Sequence, residues 1–203
     1  MSILDDNFFW DYEIINENSA ITMLFFAHYS VIRILRDNPQ VIILDATHGT
    51  QKYGLPLFTI IVITRVGTTF PAAHCFTERE AENNFTWALE YEIELPRVIF
   101  HDRDRACINA LHAIFPTTST MLCRWHMDTD VRAWLRVAFG EEQDGLYKSQ
   151  LNAEGRMAFS SYEKILNATT EENKEIWANF SRYLEKEWLP HKKLCVRAWT
   201  NSI

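Results

Sequence analysis

The chain has 203 residues, is 47% hydrophobic and carries seven Trp and thirteen Phe, which suits one packed domain with a helical addition and argues against disorder. Its formal charge of −7 counts against a stand-alone DNA-binding module, because phosphate neutralisation supplies most of such a module's affinity. Four widely spaced cysteines without a CxxC pair, an acidic N-terminus and no apolar run of about 18 residues argue against a disulfide framework, a secretory leader and a membrane span. The expectation is a soluble intracellular protein, in which the sequons at Asn84, Asn167 and Asn179 are chance matches.

In chain order, residues 20–37 place Ile21, Leu24, Phe25, His28, Ile32 and Leu35 at helical spacing, so the pattern predicts a lead-in helix. Residues 41–45 form an apolar run read as a strand buried on both faces. Leu57–Thr64 and Thr69–Phe76 read as two further strands, joined at Gly67 into an antiparallel hairpin. Thr77-Glu78-Arg79-Glu80 has the form of a capping box, opening a helix to about Glu92 with Ala81, Phe85, Ala88 and Leu89 inward.

Pro96 precedes a fourth strand, Val98–His101. A helix from about Arg103 buries Ala106, Ala110, Leu111 and Ile114 and stops at Pro116. Thr118–Leu122 reads as a fifth strand, and everything from Arg124 onward as helical. Thr169 with Glu172 caps a helix whose apolar stripe is Ile176, Phe180, Tyr183, Leu184 and Trp188.

Two of these strands end on an acid. Val41-Ile42-Ile43-Leu44 stops at Asp45, and Val98-Ile99-Phe100-His101 stops at Asp102. A carboxylate at the end of a buried strand is costly to keep unless a partner or a metal ion compensates it. The plain alternatives are that Asp45 bonds its own loop amides and that Asp102 caps the next helix. Asp104 is the better helix-start residue, which leaves Asp102 available as a ligand.

These words resemble a known family. LDATHGTQKYGLPLF is similar to the first-acid block of Mutator-like element (MULE) transposases, with Asp45, Thr47, Thr50, Tyr53, Gly54, Pro56 and Leu57 in place. PRVIFHDRDRACINALHAIFP resembles the second-acid block through Asp102, Arg103, Asp104, Ala106, Phe115 and Pro116, although His101 stands where the family usually has Thr. Cys123-Arg124-Trp125-His126 matches the C-x-W-H signature, and Tyr183 through Ala198-Trp199-Thr200 resembles the helical segment before the third acid.

The element order, β-β-β-α-β-α-β followed by helices, is the layout of a ribonuclease-H-like mixed five-stranded α/β sheet with a helical insertion. It implies residues 1–40 as a helical lead-in, 41–126 as the core and 127–203 as the insertion. In that layout the first and fourth strands are neighbours, which brings Asp45 and Asp102 together. The resemblance implies a DDE-type enzyme in which two Asp and a third acid hold Mg²⁺ or Mn²⁺ for cleavage and strand transfer at transposon terminal inverted repeats. Asp45 and Asp102 would be both catalytic and metal-binding. Nuclear action and contact with a full-length transposase follow from the same likeness.

The family's third-acid block is not found among these residues, so the expectation is a core cut short before it and inactive alone. A different class of protein is the alternative: a domesticated interaction or regulatory module without catalysis, consistent with the acidic charge and with Asp128 and Asp130 where the family has Lys-Asn. A nuclease recruiting Asp104 or Glu185 as the third acid is a further option. Cys123 and His126 supply two of the four ligands a structural zinc needs, so their expected role is structural or substrate-positioning. His48, His101 and His112 read as ordinary polar positions, and Lys192, Lys193 and Arg197 as a solvated helix face. No Gly-rich phosphate loop or G-x-S-x-G elbow supports nucleotide hydrolysis or serine catalysis.

Overall fold

The structure is a computed structural model and describes residues 6–14, 21–47, 52–91, 95–139 and 174–191. It divides into a first unit, Met1–Cys123, and a second, Arg124–Ile203. The first unit is built on a mixed sheet of seven strands: β1 (Phe8–Ile14), β2 (Ile21–His28), β3 (Val41–Thr47), β4 (Leu57–Ile63), β5 (Thr69–Thr77), β6 (Val98–His101) and β7 (Ser119–Leu122). Their order across the sheet is β1-β2-β5-β4-β3-β6-β7. Strands β1 to β5 pair antiparallel wherever they meet, while β3–β6 and β6–β7 are parallel. Parallel neighbours need a crossover, and helices α2 (Glu82–Leu89) and α3 (Arg105–Ile114) lie in the connections that lead to β6 and β7.

The pleat sorts the side chains. Ile42, Leu44, Phe58, Ile60, Val62, Ala73, Cys75, Phe25, Ala27 and Ile99 are buried on one face. They form one core with Phe85, Ala88 and Leu89 of α2, Cys107, Ala110 and Leu111 of α3, and Leu35 of α1 (Tyr29–Asp37). Phe58 meets Phe85 edge-on at 5.0 Å, pinning α2 over the centre of the sheet. The intervening residues, among them Ile43, Asp45, Thr59, Ile61, His74 and Phe100, project from the opposite face and are half-buried.

Several elements lie where the patterning puts them: β6 spans Val98–His101, and β4, β5, α3 and β7 fall within two residues of expectation. The β4–β5 turn uses Gly67 at φ +79°, with its N–H donating to the Thr64 carbonyl at 2.9 Å.

Three expectations need correction. The sheet has seven strands, not five, because residues 8–14 and 21–28 add an antiparallel pair beyond β5. The lead-in helix over 20–37 is helical only from Tyr29; Ile21–His28 is β2. Met23, Phe25 and Ala27 fill the core while Leu24 and Phe26 line the other face, so apolar residues on both sides hide the period of two. The capping box at Thr77 is not used either. Thr77 ends β5, buried, and α2 opens at Glu82 after Ala81, which makes no side-chain cap.

In the second unit, α4 (Arg124–Phe139) and α5 (Lys174–Glu187) are helical as expected, followed by a short 3₁₀ turn at Leu189–His191. Phe180, Leu184 and Trp188 are buried, and Trp134 of α4 stacks on Tyr183 of α5 with centroids 5.6 Å apart. The Thr169–Glu172 cap, His48, Thr50, the Lys192, Lys193 and Arg197 cluster and the Ala198–Thr200 tail lie outside the described residues. No helix among the described residues is long and apolar enough to cross a membrane.

Candidate active site

The parallel register pairs Val41 with Val98, Ile42 with Ile99 and Ile43 with Phe100. Counted forward two residues, it sets Asp45 level with Asp102 at the carboxyl ends of adjacent strands. Side chains alternate along a strand, so Asp45 falls on the face opposite the core helices; Asp102 follows the end of β6, and both acids are half-buried. Ligand sites in open α/β sheets favour this position, outside the carboxyl ends of neighbouring strands.

Local structure holds each acid differently. Asp45 is still within β3, directly opposite Thr59 of β4. Asp102 is the first residue beyond β6, and its Oδ1 accepts a hydrogen bond from the Arg103 backbone N–H at 2.6 Å. Asp104, not Asp102, caps α3: its Oδ1 accepts from the Cys107 N–H at 2.7 Å. The helix cap expected at Asp104 is therefore in place.

Asp102, Asp104 and Glu80 all act on the α3 N-terminus, where Arg103 and Arg105 alternate with the first two acids in sequence. The Cys107 thiol is pushed up to about 12, chiefly by burial and in the same direction by the charges of Asp104, Asp102 and Glu80. Acids there also suit the positive end of the helix dipole, so part of the reason for Asp102 is local.

The row through Asp45 continues across the sheet. Thr59 pairs with His74 of β5, and His74 with Phe26 of β2. Thr59 Oγ1 and His74 Nδ1 share a 3.2 Å hydrogen bond, and the His74 ring stacks on Phe26 at 5.2 Å. Desolvation holds His74 below the usual imidazole range. Sequence reasoning passed over Thr59 and His74, yet each interrupts an apolar strand with a polar side chain on the acid face.

The β3–β4 loop lies at the same edge. Thr47 pairs with Leu57, closing the loop beside Asp45, and the Pro56 carbonyl accepts from the Thr77 N–H at 3.1 Å. Tyr53 stands out from this loop, 73% exposed, with Lys52 Nζ 4.8 Å from its ring centroid. Gly54 follows at φ +70°, a conformation that favours glycine.

His101 is buried on the core side, where its Nδ1 bonds the Asp102 carbonyl at 2.5 Å and its own carbonyl accepts from the Cys123 N–H at 2.7 Å. It supports the Asp102 turn without facing the acids. Cys123 is a half-buried free thiol closing the first unit, and His126 lies on α4 against Trp125, centroids 4.9 Å apart. Among the described residues no group of three or more His, Cys, Asp or Glu is gathered as a metal site. A cavity of about 620 Å³ lined by Phe25, Ile32, Ile60, Ala73 and Tyr91 opens on the core face, away from the acids.

In comparisons with known proteins, residues 41–129 match the MULE transposase domain, a span from β3 into α4 that contains Asp45, Tyr53, Asp102, Cys123 and His126. The chain is also 25% identical over 97 residues to the PKS-NRPS hybrid synthetase cheA of Chaetomium globosum, covering 44% of this chain. It spans about 2% of the length of that curated relative, so the synthetase activity in that name belongs to the larger protein. The two strand-end aspartates therefore lie within a segment, residues 41–129, that is similar to the MULE transposase domain.

Proposed function

We propose that this chain carries the two-aspartate part of a metal-dependent centre for DNA cleavage and strand transfer, on a ribonuclease-H-like arrangement of β5-β4-β3-β6-β7. The observation that supports this most is the level placement of Asp45 and Asp102 on adjacent parallel strands within the matched domain. Two carboxylates supply the hard oxygen donors that Mg²⁺ or Mn²⁺ prefers. When bound, such ions stabilise the attacking and leaving oxygens of a phosphodiester. Asp45 and Asp102 would hold them, and Thr59 and His74 would fix the strand beside Asp45.

Because two carboxylates supply only part of the octahedral oxygen shell that Mg²⁺ demands, we expect weak ion affinity and negligible DNA nicking by these residues alone. The substrate class is duplex DNA with transposon ends, and the setting is nuclear. The test is Mn²⁺ titration followed by paramagnetic NMR broadening. Broadening centred on residues 45 and 102 and lost in Asp45→Asn supports the proposal, whereas broadening spread evenly over the acidic surface sinks it. A nicking assay on terminal-inverted-repeat DNA runs alongside, and robust nicking abolished by Asp45→Asn would overturn the inactivity.

A second reading, a non-catalytic interaction module, draws on the net charge of −7. Stable capture of a protein partner, unchanged in Asp45→Asn and Asp102→Asn, together with no Mn²⁺ broadening at the acids, would favour it.

A further inference from the structure

We infer that Lys52 and Tyr53 form a DNA-strand clamp on the β3–β4 loop, with the Tyr53 ring stacking on an unpaired base and Lys52 meeting the adjoining phosphate. The inference rests on the DNA-processing reading above and names the part of the loop that grips the strand.

Three observations carry it. The loop is anchored at the acid edge, since Thr47 pairs with Leu57 only two residues beyond Asp45 and Pro56 is bonded to Thr77. The loop therefore starts and ends at the same sheet edge as Asp45. Tyr53 is 73% exposed, although burying an aromatic ring is favourable and no core requirement places one here. Lys52 Nζ lies 4.8 Å from the Tyr53 ring centroid, so a cation and a π-face are presented together. That pairing complements a nucleotide, which offers a phosphate and a base, and recurs in sequence-tolerant single-strand binding.

Charge decides against the nearest competing occupant. A basic or neutral peptide would find its best partners in the carboxylates around the α3 N-terminus, whereas the loop presents a cation. A polyanion is repelled by those acids unless divalent ions neutralise them, which makes the clamp useful only when the metal site is loaded. Gly54, left-handed at φ +70° with nothing within 4 Å of a built Cβ, is demanded by backbone conformation and not by crowding.

The test uses the full chain with a duplex carrying a short single-stranded end labelled with 2-aminopurine, in Mg²⁺ at low salt. The wild type is expected to bind and quench the probe. Tyr53→Phe retains both, and Tyr53→Ala loses the quench and about tenfold in affinity, within the range of base stacking. Lys52→Gln lowers the slope of log affinity against log salt by about one. If Tyr53→Ala binds and quenches equally while the wild type binds, the clamp is wrong and the DNA reading stands. If the wild type neither binds nor quenches, both fall together.

Discussion

Asp45 and Asp102 stand level on adjacent parallel strands, two residues beyond the Ile43–Phe100 pair, although 57 positions separate them in sequence. Neighbouring strands lie about 4.8 Å apart, a backbone spacing compatible with two carboxylates that share one cation. Without a cation they repel.

The first prediction follows from that repulsion. Mg²⁺ or Mn²⁺ should raise the melting temperature of the wild type, because a ligand that binds only the folded state stabilises it by mass action. Asp45→Asn and Asp102→Asn should each abolish the rise. Differential scanning fluorimetry with and without the ion checks this, and an equal rise in both variants would refute a site shared by the two acids.

Asp104 should matter for stability and not for the acids' chemistry. Removing its cap on the Cys107 N–H in Asp104→Ala is expected to cost about 1 kcal/mol, with Asp104→Ser recovering most of it. Urea unfolding reads the difference directly. A loss of Mn²⁺ binding in Asp104→Ser would show instead that Asp104 shares the ion.

His74 gives the fold a pH dependence on its acid side. Burial holds its folded pKa below the unfolded value, so the unfolded state takes up the proton first. The stabilisation is complete above about pH 6.5 and is lost as pH falls through and below that value. His74→Gln should flatten this limb of a stability–pH curve measured by urea unfolding. An unchanged limb would assign it to other groups.

Cys75 and Cys107 run the opposite way. Burial raises each to about 12, opposed at Cys75 by a bond from the Leu24 backbone. Their folded thiols stay neutral at pH 8–9, where unfolded thiols near pH 8.5 ionise, so stability falls as pH rises past that point. Iodoacetamide at pH 8 should spare both until urea unfolds the chain. Rapid labelling of either in the native state would contradict their burial.

The core offers a test of magnitude. Phe58 is fully buried and meets Phe85 edge-on, so Phe58→Ala should cost about 3–5 kcal/mol. A loss below 1 kcal/mol in urea unfolding would mean that α2 does not bear on the sheet as described.

Much of the sheet was legible because β3, β4 and β6 are short apolar runs bounded by Gly, Pro or acids. The Asp104 cap was legible for a similar reason: Asp followed by Arg-Ala-Cys has the chemistry of a helix start. β2 was not, since ITMLFFAH fills both faces of the sheet and its residues also fit a helical stripe. Thr77 misled because a Ser/Thr-x-x-Glu word carries no information about whether its Thr is already committed to a strand. Level placement of the two aspartates could be anticipated from topology alone, but the Thr59–His74 bond could not. It depends on which residues of β4 and β5 meet, and the register shift between Ile60 and Ile61 sets that locally.

The β1–β2 pair has a practical consequence. The family match begins at residue 41, yet β5 is covered on its outer side by β2 through Met23–Thr77 to Phe26–His74. A fragment begun at residue 41 would turn β5 into an open edge, withdraw Phe25 and Ala27 from the core, and offer bare backbone to any passing strand. The matched segment is therefore shorter than the sheet it belongs to, and a fragment that keeps both β1 and β2 starts upstream of Phe8.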